Sequence, residues 1–225
     1  MLRVFVLLLA LSASSAFGQS RPGTLSNWSG VLSLGAPKWS SNLYRINNEA
    51  LRSGDGFSDL SAGQLGVKLQ LSYTFLPSYG RWAVTLGGGQ DRAILENFAG
   101  RPHVQGVETA ANVRRAALDR QHLDFGLQVT PWVTTYLRAN LRAGLHTSTT
   151  RASQQLEDGR IADDFSFASQ GTFQEFGFEI GPSTAFLYVS VYMTQQKTAN
   201  LRAFNDQPAD LHGYAYYVGL GRYSF

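Results

Sequence analysis

The sequence predicts an all-β protein, an eight-stranded antiparallel up-and-down transmembrane β-barrel. Three observations predict it. Apolar and polar residues alternate with a period of two in eight separate stretches. The links between those stretches are alternately long and short. The sequence also ends on strand-like residues, "YYVGLGRYSF", where soluble chains usually fray into a polar tail.

Residues 1–18 read as a signal peptide. Arg3 precedes an apolar run from Val4 to Leu11, and small residues lead to Gly18. The run is too short to span a bilayer as a helix, and no second run approaches the ~18 residues that would be needed. Cleavage after Gly18 leaves residues 19–225 as the barrel domain.

The strands follow in order. "NWSGVLSLG" places Trp28, Leu32 and Leu34 on one face. "LGVKLQLSYTF" places Leu65, Val67, Leu69, Leu71, Tyr73 and Phe75 opposite Lys68, Gln70, Ser72 and Thr74. "RWAVTLGG" sets Trp82, Val84 and Leu86 against Ala83, Thr85 and Gly87. "HLDFGLQV" sets Leu123, Phe125, Leu127 and Val129 against His122, Asp124 and Gln128. "VTTYLRANLRAGLH" carries Leu137, Leu141 and Leu145 opposite Arg138, Asn140, Arg142 and His146. "FQEFGFEI" sets Phe176, Phe178 and Ile180 against Glu175 and Glu179. "AFLYVSVYM" sets Leu187, Val189, Val191 and Met193 against Phe186, Tyr188, Ser190 and Tyr192. The eighth strand is "GYAYYVGLGRYSF", pairing with the first near Trp28.

Short links follow the second, fourth and sixth strands. Long links span Ala36 to Ala62, Gly89 to Gln121, Thr147 to Gly171 and Gln195 to Leu211. Structureless loops of that length are uncommon in soluble domains. Opposite residues in a hairpin share a face, so parity constrains the register. It predicts Asp124 opposite Arg138 around Pro131, Ile180 opposite Ala185 around Pro182, and Phe75 opposite Trp82 around Ser78. The stated alternative is a slip of two residues.

The polar face decides which side meets lipid. Lys68, His122, Asp124, Arg138, Arg142, Glu175, Glu179 and Arg222 form a set of both signs. An eight-stranded barrel is narrow enough for side chains to fill it, and opposite charges inside can pair. The apolar face is therefore read as outward. On the last strand this makes Tyr217, Tyr223 and Phe225 lipid-facing, with Arg222, Val218 and Leu220 inward. Trp28, Phe75, Tyr79, Trp82, Trp132, Phe186, Tyr223 and Phe225 lie near the short-turn ends, where an aromatic girdle belongs.

This pattern resembles the small eight-stranded outer-membrane barrels of diderm bacteria over essentially the whole mature chain. The resemblance implies a location in the outer membrane. It also implies that the barrel-assembly machinery reads the aromatic end, Tyr223 and Phe225. Gly219 and Gly221 depart from the class, which commonly has larger apolar residues there.

Few motifs suggest chemistry. "LHTSTT" carries His146 and Ser148, and an outer-membrane lipid A deacylase family uses a His-x-Ser pair with an acidic partner, here nominally Glu157 or Asp158. The strand and the surrounding residues do not match that family. "LGGGQD" lacks the Lys–Ser/Thr pair and following helix of a phosphate loop, and reads as close backbone approach or a loop start. The chain has no cysteine, so thiolate metal sites and disulfides are absent. Asp163 and Asp164 sit in an acidic segment that reads as solvated loop. No cofactor is expected. A net charge of only +3, spread along the chain, gives no nucleic-acid surface. The expected role is structural or interactive, without catalysis. The partners are outer-membrane lipid, the assembly machinery and an extracellular or envelope protein met by the long loops. The alternatives are a narrow channel for small solutes and a lipid A hydrolase.

Overall fold

A computed structural model describes residues 27–46, 49–52, 65–76, 81–96, 103–104, 113–156, 161–198 and 210–224. The expected signal peptide, Tyr79, Glu157, Asp158 and Phe225 lie outside the described residues. Eight long strands build the wall: β1 (Trp28–Ile46), β3 (Leu65–Leu76), β4 (Trp82–Glu96), β6 (Val113–Val133), β7 (Leu137–Leu156), β8 (Ile161–Ile180), β9 (Phe186–Thr198) and β10 (Asp210–Ser224). Two short strands, β2 (Glu49–Arg52) and β5 (His103–Val104), pair with the upper part of β1.

Each long strand pairs antiparallel with its neighbours in sequence, and β10 closes on β1 with Trp28 opposite Ser224. Closure leaves the wall no free edge, so the main-chain donors and acceptors of the ladder are satisfied within the protein. The pairings also fix the geometry. A row that starts at Trp28 passes through Tyr73, Val84, Leu127, Ala143, Gln174, Met193 and Tyr214. It returns to β1 at Lys38, ten residues above its start. Eight strands with that stagger tilt by roughly 40° from the barrel axis and enclose a backbone cylinder about 8 Å in radius. Side chains from opposite walls meet in such a lumen.

Alternation assigns the faces. Leu32, Leu34, Leu71, Leu86, Phe125, Leu127, Leu145, Phe176 and Val218 are exposed on the outside. Lys68, Thr85, Asp124, Arg138, Arg142 and Glu175 are buried inside. About four outward apolar positions per strand, at this tilt, make a belt about 20 Å tall, close to the hydrocarbon band of a membrane barrel. Trp28, Phe75, Trp82 and Trp132 ring its short-turn edge and are exposed.

Several expectations are corrected. On β10 the faces are reversed: Tyr217 and Tyr223 are buried in the lumen, while Val218 and Leu220 point outward at 53% and 71% exposure. Arg222 shares the outward parity with them and is not a lumen residue. Phe186 also leaves the girdle, packing inside with Val31, Tyr188 and Tyr223. The physical reason is that a tyrosine is apolar in a period-two pattern, yet its hydroxyl must find a partner once buried.

The turns differ as well. β6 continues through Pro131 to Val133, so Asp124 faces His146 rather than Arg138. A register shift between Val129 and Trp132 accommodates the proline, which cannot donate to the ladder. The turn itself is made by Thr134, whose side-chain oxygen accepts from the Leu137 amide at 2.9 Å. Around Pro182 the register slips by two, with Ile180 opposite Leu187, and Gly181 supplies the left-handed φ of 125° that the turn needs. Near Ser78 a bulge at Phe75 leaves Leu76 opposite Trp82. The third long link is largely strand: β7 and β8 stay paired up to Gln155 and Ile161. Asp163 and Asp164 accordingly lie within β8.

Candidate functional site

The lumen side chains form a continuous network in three storeys. The lowest closes the short-turn end. Arg138 on β7 donates from Nε to Glu179 Oε2 on β8 at 2.7 Å and from Nη2 to the Gly181 carbonyl at 3.2 Å. Asn140 Nδ2 donates to Glu179 Oε1 at 2.6 Å, and the Tyr223 hydroxyl donates to Oε2 at 2.8 Å. The Arg138 guanidinium also lies over the rings of Phe186 and Tyr223, at 5.2 and 5.4 Å. Glycine makes this floor possible: a Cβ at Gly221 would collide with the Phe186 ring.

The middle storey crosses the barrel. Lys68 Nζ lies 2.5 Å from Glu175 Oε1, and Arg142 pairs with Oε2 of the same carboxylate. Ser190 donates to Oε1 at 2.7 Å. Arg142 also donates to Gln70 Oε1 at 2.6 Å and to Thr85 Oγ1 at 3.2 Å. The Lys68 ammonium sits over the rings of Tyr192 and Tyr217, at 4.4 and 4.7 Å. Lys68, Glu175 and the Arg142 side chain have no exposed surface.

The upper storey holds two histidines between two carboxylates. His146 Nδ1 lies 2.6 Å from Asp124 Oδ1, and the Tyr192 hydroxyl donates to Asp124 at 2.9 Å. The His122 and His146 rings stack with centroids 5.3 Å apart. His122 Nδ1 is 3.5 Å from Asp91 Oδ2, which also pairs with Arg120 and accepts at Oδ1 from the Tyr217 hydroxyl at 2.9 Å. Ser148 lies above and donates to Gln196 Oε1 at 2.7 Å.

Of the residues singled out in the sequence, Lys68, His122, Asp124, Arg138, Arg142, Glu175 and Glu179 are brought together in the lumen. Arg222 is not. The expected Asp124–Arg138 neighbourhood is replaced by two separate ones, Asp124 with His146 and Arg138 with Glu179. Sequence reading places Asp91 and Arg120 in a loop and Tyr217 on the lipid face, whereas all three lie in the lumen; Tyr188 and Tyr192 lie on the inward face that the alternation of their strand assigns them. The first two were accessible: Asp91 continues the inward parity of Thr85 and Gly87, and Arg120 that of His122. "LGGGQD" is close backbone approach inside β4, since a Cβ at Gly89 would strike His122 and the Val67 carbonyl.

The network can neutralise itself and fill space. Four carboxylates, Asp91, Asp124, Glu175 and Glu179, meet four cations, Lys68, Arg120, Arg138 and Arg142. Among the described residues no three histidine or acidic groups are placed to hold a metal ion. Ser148 hydrogen-bonds Ser169 and Gln196, while His146 Nδ1 hydrogen-bonds Asp124 and Tyr192.

No family model matches the chain, and no curated protein matches it. Solved structures do. Neisserial surface protein A aligns over 89% of this chain and 99% of its own, at 12% identity and a TM-score of 0.51. OprG, an outer membrane protein of Pseudomonas aeruginosa, aligns over 90% and 98%, at 14% identity and a TM-score of 0.47. The outer membrane protease OmpT of Escherichia coli aligns over 92% and 99%, at 11% identity and a TM-score of 0.43. The likeness is one of architecture: this chain has the fold of the small eight-stranded outer-membrane barrels.

Proposed function

We propose that this protein is an integral outer-membrane barrel without catalytic activity, held shut by its lumen network. It acts structurally or through contacts made by its long-loop end at the cell surface. The observation that carries this reading is the ion pair between Lys68 and Glu175, which joins opposite walls with neither side chain exposed. A conducting pore needs a wetted path at that level, and a hydrolase needs a free nucleophile. Export is supported by the signal-like residues 1–18, and membrane residence by the apolar belt with its tryptophan edge. Lipid, the assembly machinery reading Tyr223 and Phe225, and an envelope or extracellular protein at the loops are the partners this role requires.

The absence of native cysteine makes the test clean. Single cysteines at Lys197, near the long-loop end of β9, and at Tyr136, in a short turn, are exposed positions. A membrane-impermeant maleimide applied to intact cells labels Lys197→Cys, and labels Tyr136→Cys only after the outer membrane is permeabilised. Labelling of both in intact cells, or the reverse pattern, contradicts the reading.

A further inference from the structure

Gln174 stands out on the outer wall. It occupies an outward, exposed position on β8. Its hydrogen-bonded row begins at Trp28, five strand-to-strand steps away. At the observed tilt those steps raise it roughly 16 Å above the tryptophan edge, inside the apolar belt. Its outward neighbours are Ala143 across β7, Met193 across β9, Phe176 one outward position below and Thr172, also exposed, one outward position above. A carboxamide in hydrocarbon has no water to bond, so it drives association with a partner that can bond it.

The wall around Gln174 is shaped to receive that partner. A groove of about 500 Å³ runs along this face, and its lining includes Leu127, Leu141, Ala143, Gln174, Phe176 and Met193. Ala143 forms a low point between Leu141 and Leu145, both exposed. A carboxamide carries one donor group and one acceptor group, so it is complementary to another copy of itself. Acyl chains fill an apolar groove but leave the amide unbonded. A second copy related by a two-fold axis fills the groove and pairs the two amides, and a two-fold interface uses the same patch on both subunits.

We propose that the protein forms a two-fold homodimer in the membrane through the β6–β9 face, with Gln174 of each copy bonded to the other. The proposal goes beyond the closed-barrel reading and rests only on its placement in lipid. The cysteine-free chain provides the test. Ala143→Cys, beside Gln174, and Leu32→Cys, on the far wall, are reconstituted separately in phospholipid vesicles and oxidised. Folding is checked by the shift in gel mobility on heating, so a failed barrel is distinguished from a monomeric one. The expected result is a disulfide-linked dimer for Ala143→Cys and none for Leu32→Cys. Adding Gln174→Leu to Ala143→Cys lowers dimer formation about tenfold, the loss of one interchain hydrogen-bonded pair in a membrane. Equal cross-linking at both positions, no cross-link at Ala143, or no effect of Gln174→Leu overturns the proposal.

Discussion

Lys68 on β3 and Glu175 on β8 join the two opposite walls of the barrel, with 2.5 Å between Nζ and Oε1 and neither side chain exposed. Four strand steps separate them in either direction around the wall. Glu175 is the hub of the contact, because Arg142 holds its second oxygen and Ser190 donates to its first. Removing one partner of a buried charge group leaves the others uncompensated, which matters more than the pair's own net worth.

An asymmetry between the partners follows. Glu175→Gln leaves both Lys68 and Arg142 without their carboxylate. It lowers stability by about 3–5 kcal/mol. Lys68→Met leaves the Arg142–Glu175 pair standing and costs clearly less. Denaturant unfolding from detergent micelles or vesicles gives both values. Equal losses would contradict the hub role of Glu175.

The inward face of Tyr223 is directly testable. Its hydroxyl donates to the charged Glu179, so Tyr223→Phe costs about 1.5–3 kcal/mol. Tyr214, outward and exposed on the same strand, serves as the control, and Tyr214→Phe changes stability by less than about 0.5 kcal/mol. Matching small effects would restore a lipid-facing Tyr223.

Gly221 makes room for Phe186 in the floor of the lumen. Gly221→Ala overpacks the site and destabilises by about 1–3 kcal/mol. Phe186→Leu in the same chain recovers part of that loss, because the shorter side chain vacates the contested space. A double variant as unstable as the sum of the single ones would show that the ring is not what Gly221 accommodates.

The architecture was legible because alternation is a property of the residues themselves. Lys68 through Thr74 and Leu137 through Leu145 write their two faces openly. The last strand did not, and the reason is tyrosine. Tyr217 and Tyr223 count as apolar in the pattern, yet each spends its hydroxyl on a buried carboxylate. The glycines beside them carry no polarity at all. A Cβ at Gly35 would strike Tyr217, so the smallness there marks a large neighbour inside. Registers were misread for a related reason. Pro131 looks like a turn, but a bulge carries it and Thr134 makes the turn. Asp91 and Arg120 fall inside the link drawn from Gly89 to Gln121, although parity runs straight through both of its ends. Sequence holds no comparable signal for the pairing of Asp91 with Tyr217, which depends on how the barrel closes.

The closed lumen is tested most directly by single-channel recording of the purified protein in a planar bilayer. A continuous plug of paired charges predicts no openings at either polarity for the wild-type chain. The same plug predicts discrete conductance steps for a Lys68→Ala, Arg142→Ala double variant that retains its heat-shifted gel mobility. Steady openings of the wild-type protein, with insertion verified by that mobility shift, would show that the network conducts and that the barrel is a pore.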